Sequence, residues 1–200
     1  MTSNQERTLV IVKPEGVHRG LVGEIIKRFE SKGFKMVAMK FIQPSKEKVE
    51  EFFIDLKEKQ SYSGLISHMS SGPIVPIVLE GHNAVKASLI IMGEGDPLYC
   101  PPGTIRGDYS IKSGRKICHG SKSIESASKA ISFWFEDGEL TNYDLGSSRW
   151  LYDDFSPTVH FFNLLKVWHY IFIKLKTVLT LHIHSRHYIQ AWLIVYLTRK

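Results

Sequence analysis

The chain has 200 residues, of which 43% are hydrophobic and 23% charged, a composition typical of a globular protein rather than a disordered one. Two cysteines and an N-terminus without a secretory leader argue against a disulfide-rich exported protein and predict a cytoplasmic one. The formal charge of +6 arises in residues 155–200, which hold six basic side chains and no acidic one, so residues 1–154 are formally neutral.

The predicted elements alternate between short apolar runs and amphipathic stretches. We predict strands at 8–12, 34–43, 74–79 and 117–118, and helices at 20–31, 45–56, within 57–71, at 82–92 and after 123. This order predicts an α+β protein with a ferredoxin-like split βαβ arrangement. In it a four-stranded antiparallel sheet has its helices on one face.

Several local features depend on single residues. Pro76 cannot donate a backbone hydrogen bond, so it predicts an edge or bulge position for the third strand. Either Ser121 or Ser123 can cap the last predicted helix, and Ser45 can cap the helix at 45–56. The segment 93–115 is rich in glycine and proline and long for a connection without regular structure, which indicates a functional or disordered loop.

One histidine stands out by its position. His119 lies between a β-type run and Gly120, and serines that can start a helix follow at once. An imidazole with its usual pKa near ~6.5 is largely neutral and nucleophilic at neutral pH, so it suits attack on a phosphate. The simpler alternative is a histidine that only satisfies its hydrogen bonds in the core or at the surface.

Three motifs together resemble the nucleoside diphosphate kinase family. They are Val-Lys-Pro-Glu-Gly-Val at 12–17, Gly-Thr-Ile-Arg-Gly-Asp at 103–108, and His-Gly-Ser at 119–121 with Glu-Ser-Ala behind it at 125–127. The match is close to the cytosolic animal A and B type enzymes and covers about residues 6–152. It implies transfer of the γ-phosphate of a nucleoside triphosphate to a nucleoside diphosphate, through a phosphorylated histidine.

The resemblance also implies roles for individual residues. His119 would be the nucleophile, with Lys13 and Ser121 as further catalytic residues, while Lys13, Arg106 and Lys116 would bind phosphate. Taken alone, Lys13 could equally be a lysine that reaches from the end of a strand to solvent, and Ser121 could be only a helix cap. The implied cofactors are ATP and Mg²⁺ carried by the nucleotide phosphates, and we expect no metal site built from protein ligands.

The chain departs from the family at seven positions around the expected nucleotide. Ser61 replaces a base-stacking phenylalanine, Leu89 replaces a phosphate-binding arginine, and Gly95 replaces a phosphate-contacting threonine. Lys116 replaces a sugar-contacting asparagine, and Lys122 replaces an aspartate. Phe53 replaces a tyrosine near the histidine, and Ala130 replaces a glutamate that fixes the imidazole. Loss of a charged contact and of base stacking predicts kcat/KM lowered by about 10²- to 10⁴-fold. The alternative is a catalytically weak homologue that acts as a binding or assembly subunit.

We expect two parts, a kinase domain at 1–154 and a basic, aromatic extension at 155–200. Basic residues interrupt every apolar stretch of the extension, so a transmembrane helix is disfavoured. An interfacial helix that contacts membranes is the minor alternative to an extension without a selected role.

The family's hexamers form through a loop matched here by Pro97, which implies a homo-hexamer or a hetero-hexamer with related subunits. The neutral 1–154 part does not predict nucleic-acid binding.

Overall fold

The computed structural model describes residues 5–112 and 116–152. The predicted extension at 155–200 and the predicted domain boundary at 154 lie outside these residues and stay predictions. Within the described ranges, no helix is long and apolar enough to cross a membrane.

Four antiparallel strands form the sheet, in the spatial order β2-β3-β1-β4. Their bounds are Glu6–Val12 for β1, Lys35–Met39 for β2, Val75–Gly81 for β3 and Cys118–Gly120 for β4. The first and third strands are central and fully paired along seven residues. This order and pairing are those of a split βαβ sheet, as the sequence predicted.

Eight α-helices connect and cover the strands in the described part of the chain. They are α1 Pro14–His18, α2 Val22–Ser31, α3 Lys46–Phe52, α4 Tyr62–Met69, α5 Ala84–Met92, α6 Ile105–Tyr109, α7 Ile124–Trp134 and α8 Ser148–Leu151. Short 3-10 turns cover Ile54–Leu56, Pro97–Tyr99 and Asp137–Glu139. The predicted helices at 20–31, 45–56, within 57–71 and at 82–92 are present with shorter bounds, and Ser45 caps α3 by accepting from the Lys48 N–H.

Helices cover both faces of the sheet, which corrects the prediction of one covered face. Leu9 and Ile11 of β1 belong to a core cluster with residues of α3, α4 and α7, whereas Val10 and Val12 belong to a second cluster with residues of α2, α5 and α6. Successive side chains of a strand point to opposite faces. The uninterrupted apolar run of β1 is the sequence signal for burial on both sides.

The prediction for Pro76 was wrong, because this proline lies in the central strand β3 and pairs with Ile11 of β1. The register shift in the sheet falls between Met36 and Ala38 of β2 and not at the proline. The carbonyl of Pro76 accepts from Lys40, one residue beyond the end of β2. Its missing N–H would point to the same side, toward Lys40, and the pairing resumes beyond it, where Ile42 and Ile74 exchange both backbone hydrogen bonds. The proline therefore costs one ladder hydrogen bond and interrupts β2, but it does not end the pairing.

The long segment after α5 contains more regular structure than its composition predicts. The turn Pro97–Tyr99 and helix α6 both lie in it, and only 113–115 fall outside the described residues. Asp96 caps the turn and Thr104 caps α6, each by accepting a backbone N–H. Short capped turns of this kind carry no apolar periodicity, so pattern analysis does not detect them.

Candidate active site

His119 lies inside β4 and pairs with Ile11 of the central strand β1. Its half-buried ring points to the face covered by α3 and α7, where it meets two aromatic rings edge-on. The centroid distances are 5.8 Å to Phe52 and 5.3 Å to Phe53. The contact with Phe52 was not predicted, since the sequence presents that residue only as one apolar position of a helix.

Lys13 follows directly after β1 and is 8% exposed. Its N–H donates to the carbonyl of Ile117 at 2.9 Å, which extends the pairing of β1 with the segment that contains His119. Burial and the neighbouring positive charges of Arg106 and Lys116 lower the pKa of Lys13 to about 8. The side chain is therefore a buried cation, and the prediction that it could merely reach solvent does not describe it.

Arg106 contacts β4, the strand that contains His119. It lies in α6 and is 9% exposed. One Nη atom donates to the carbonyl of Gly93 and the other donates to the carbonyl of Cys118 at 3.3 Å. Burial lowers the pKa of the guanidinium, and its Nε has no hydrogen-bond partner in the described part of the chain. A buried donor without a partner is costly unless a ligand satisfies it.

A second arginine fixes the position of α6. Arg28 of α2 forms an ion pair with Asp108 at 2.6 Å, donates to the Tyr109 hydroxyl at 2.9 Å and donates to the carbonyl of Gly103 at 2.7 Å. These contacts hold both ends of the short helix that contains Arg106. The sequence presents Arg28 only as a surface partner of Glu24, so its part in the site was missed.

Ser121 lies two residues after His119 on the same face of the extended chain, because its N–H donates to the Leu9 carbonyl at 3.1 Å. It is 4% exposed, and its Oγ has no hydrogen-bond partner in the described residues. The helix cap is Ser123, which forms a reciprocal capping box with Ser126. The structure thus decides between the two predicted caps and leaves the Ser121 hydroxyl unassigned.

The electrostatics of the site favour a neutral nucleophile. Burial, together with the positive charges of Lys13, Arg106 and Lys122, lowers the pKa of His119 to about 3. The imidazole is therefore unprotonated across the physiological range. Burial raises the pKa of the neighbouring Cys118 to about 12, so its thiol stays protonated and contributes no negative charge.

The seven departures from the family pattern fall into two groups. Phe53 and Ala130 are buried on the face of His119, and neither can donate to or accept from the ring. The other five are exposed or partly buried. Ser61, at the start of α4, Gly95 and Lys122 are exposed, whereas Leu89 of α5 and Lys116, which precedes β4, are partly buried. Gly95 also has a φ of +86°.

The arrangement places two buried cations near a neutral imidazole. Neither Lys13 nor Arg106 forms an ion pair within the described ranges, although both are buried. Those ranges also contain no group of three or more histidine, cysteine or carboxylate side chains that could hold a metal ion. Buried cations without carboxylate partners are the electrostatic complement of a phosphate chain.

Comparison with known proteins decides the family. The family model described as nucleoside diphosphate kinase matches residues 6–140. The chain belongs to the nucleoside diphosphate kinase family. It is 52% identical to nucleoside diphosphate kinase A of Rattus norvegicus over 151 residues, which cover 76% of this chain and 99% of that relative. It is 51% identical to nucleoside diphosphate kinase B of Homo sapiens with the same coverage.

Solved nucleoside diphosphate kinases share the fold. The halophilic enzyme of Halobacterium salinarum, determined in complex with CDP, matches with a TM-score of 0.72 at 40% identity, over 74% of this chain and 99% of that one. A family member from Babesia bovis matches with a TM-score of 0.71 at 37% identity and the same coverage. The predicted family, its phosphotransferase class and the ferredoxin-like fold are confirmed.

Proposed function

We propose that this member of the family transfers a terminal phosphoryl group from a nucleoside triphosphate to a nucleoside diphosphate through His119, with weakened nucleotide binding. The observation that supports it best is a neutral imidazole near two buried cations that form no ion pair with a carboxylate of the described residues. In two half-reactions, one pocket serves the donor and the acceptor in turn.

The roles of the individual residues follow from their charges. A ring nitrogen of His119 attacks the terminal phosphorus, while Lys13 and Arg106 stabilise the charge on the phosphoryl oxygens. Lys116, whose charge acts on Lys13, adds a further phosphate contact. The hydroxyl of Ser121 is a donor for the ring or for the transferred group. Magnesium held by the phosphates and water supplies further charge neutralisation, which fits a site without a carboxylate cage.

The weakened nucleotide binding follows from what the substituted side chains can offer. Ser61 presents no ring face for a base, and Leu89 and Gly95 present neither a charge nor a side-chain hydrogen bond. A lost charged contact costs about 1.5–3 kcal/mol and a lost stack about 1–3 kcal/mol. We therefore expect kcat/KM to be about 10²- to 10⁴-fold below that of a site that has the family's residues at these positions.

Incubation with ATP labelled at the γ-phosphate tests this function. We expect an acid-labile, base-stable label on the full chain, and none on the His119→Gln variant. A His18→Gln variant, altered at a histidine in α1, should label like the unchanged chain. A label that survives His119→Gln would contradict the proposed nucleophile.

The second candidate function is a catalytically weak homologue that binds partners or takes part in assembly. The seven substitutions around the site favour it, because each removes or changes a group that the resemblance associates with nucleotide or with the histidine. Absence of any label on the unchanged chain, with the fold intact by circular dichroism, would select this candidate over the first.

We propose further that the chain acts in the cytoplasm and assembles into hexamers, alone or with related kinase subunits. Leu98 and Tyr99 follow the buried Pro97 and are 79% and 82% exposed. Large apolar side chains exposed side by side on a loop favour a contact with another subunit. Light scattering of the full chain should give about six times the chain mass of 22.9 kDa. A monomer mass at micromolar concentration would contradict the assembly.

A further inference from the structure

The positive charge around His119 is concentrated and unpaired. Lys13, Arg106 and Lys122 all act electrostatically on its ring, and Lys116 acts on Lys13. The carboxylate that acts electrostatically on Lys13 is that of Glu15, whose Oε1 lies 3.5 Å from an Nη atom of Arg19. The site therefore has a strong capacity for polyanions and no internal counterion close enough to form an ion pair in the described residues.

The aromatic rings around His119 are already used by packing. Phe52 lies 4.7 Å from Phe53, 5.2 Å from Phe133 and 5.2 Å from Trp134, and it meets the imidazole edge-on. These rings form one cluster on the covered face of the sheet. A purine or pyrimidine needs an open ring face to stack on, and rings that pack edge-on or tilted against one another in such a cluster do not offer one to a ligand.

The position at the start of α4 offers no substitute for a ring. Ser61 is exposed, and its hydroxyl makes no capping hydrogen bond to the helix. Gly95, in the loop after α5, is exposed and presents only backbone. The described part of the site thus combines several phosphate-directed cations with side chains that contribute little to a base or a sugar.

We infer that this site recognises its donor by the phosphate chain alone, so that inorganic tripolyphosphate phosphorylates His119 about as well as a nucleoside triphosphate does. The inference rests on the proposed function and widens its donor class from nucleoside triphosphates to phosphoanhydrides in general. Selection for the base is absent because, in the described part of the site, the rings that contact His119 pack against one another and present no open face.

The step balances without a further reactant. A lone pair of a ring nitrogen of His119 attacks the terminal phosphorus, and a nitrogen–phosphorus bond forms. The bond from that phosphorus to the bridging oxygen breaks, and pyrophosphate leaves with the electron pair. The proton on the other ring nitrogen passes to pyrophosphate or water. Lys13 and Arg106 stabilise the same oxygens whether the leaving group is pyrophosphate or a nucleoside diphosphate.

The test compares two donors on the full chain in the presence of Mg²⁺, with the terminal phosphate of each labelled. We expect kcat/KM for phosphorylation of His119 by ATP and by tripolyphosphate to agree within about tenfold. The Ser61→Phe variant restores a ring, so it should raise the ratio of ATP to tripolyphosphate by roughly 5- to 150-fold, the effect of one base stack. In Ser61→Phe, the rate of labelling by tripolyphosphate should stay within about twofold of that in the unchanged chain. Ser61→Ala, which adds no ring, serves as the matched control.

The outcomes separate this inference from the proposed function. Labelling by ATP that exceeds labelling by tripolyphosphate more than about 100-fold in the unchanged chain would overturn the inference and leave the proposed function intact. A ratio that Ser61→Phe does not change would also overturn it. Absence of label from both donors would overturn the proposed function together with the inference.

Discussion

Arg106 donates a hydrogen bond from its guanidinium to the backbone carbonyl of Cys118, 3.3 Å away and one residue before His119. The strand that contains His119, the proposed nucleophile, thus also positions a cation. A second bond to the carbonyl of Gly93 fixes the guanidinium from the other side. Because a planar fork has fixed donor directions, two carbonyls are enough to set the orientation of the charge.

Replacing Arg106 should separate the effect of this geometry from the effect of its charge. We expect Arg106→Met to lower the rate of His119 labelling by about 10²-fold or more, because it removes a buried cation that stabilises the phosphoryl oxygens. Arg106→Lys keeps a charge but cannot bridge both carbonyls, so about a tenfold loss is expected. Single-turnover labelling measures both, and equal rates for the three proteins would contradict the role.

Lys13 should contribute to catalysis at the expense of stability. The lowering of its pKa from 10.5 to about 8 corresponds to about 3 kcal/mol of unfavourable free energy for the charged form at neutral pH. We expect Lys13→Met to abolish labelling and to raise the free energy of unfolding by about 1–3 kcal/mol, measured by urea denaturation. The Lys59→Met variant, changed at an exposed lysine, should alter the free energy of unfolding by no more than about 0.5 kcal/mol and the labelling rate by no more than about twofold. A destabilised Lys13→Met protein would contradict this account.

The pKa of Lys13 should also appear in the pH dependence of the reaction. Above about pH 8 the free protein loses this charge, so kcat/KM for labelling should fall there. Below pH 8 the charge is present, and His119 stays neutral down to about pH 3, so the profile should be flat between about pH 5 and 7.5. In Lys13→Arg, the decline above pH 8 should disappear, because guanidinium does not titrate there. A decline that persists in this variant would assign it to another group.

His119 should make stability depend on pH at the acidic side. Its pKa in the folded protein, about 3, lies below the value of 6.5 for a free imidazole, so the unfolded chain takes up the proton first. Its contribution is therefore fully present above about pH 6.5 and is lost as the pH falls toward 3, by at most about 1.4 kcal/mol per pH unit. Urea denaturation between pH 7 and 4.5 measures it, and His119→Gln should show a shallower slope. Parallel slopes would contradict the burial of a neutral ring.

Ser121 and Ser123 offer a matched pair of hydroxyls with opposite expectations. Ser121→Ala removes an Oγ without a partner in the described residues, so we expect no loss of unfolding free energy but about a tenfold slower labelling of His119. Ser123→Ala removes the cap of α7 and should cost about 1 kcal/mol with labelling unchanged. Thermal unfolding measures the stability of both variants, and single-turnover labelling measures their rates. Slower labelling of Ser123→Ala together with a destabilised Ser121→Ala would contradict the two roles.

Much of the fold could be predicted from local patterns. The apolar runs of β1 and β3 and the amphipathic spacing of α2 and α7 placed four strands and the main helices in the right order, and the order alone selects the split βαβ sheet. The prediction for Pro76 failed because a central strand tolerates the loss of one ladder hydrogen bond when pairing continues on both sides of it, here through Met39 and Ile42. The second covered face was missed because a pattern shows that a strand is buried but not by which helices.

The sequence by itself determined the family, through three motifs that contain Lys13, Arg106 and His119. It also determined which side chains stand at the seven positions that depart from the family. Only the tertiary structure decided that Ser123 and not Ser121 caps α7 and that Arg28 contacts both ends of the helix of Arg106. It also decided that burial and nearby cations lower the pKa of His119. The physical reason is that motif identity is local in the chain. A pKa and a hydrogen bond depend instead on burial and on charges brought together from distant segments, here from Lys13, Arg106 and Lys122.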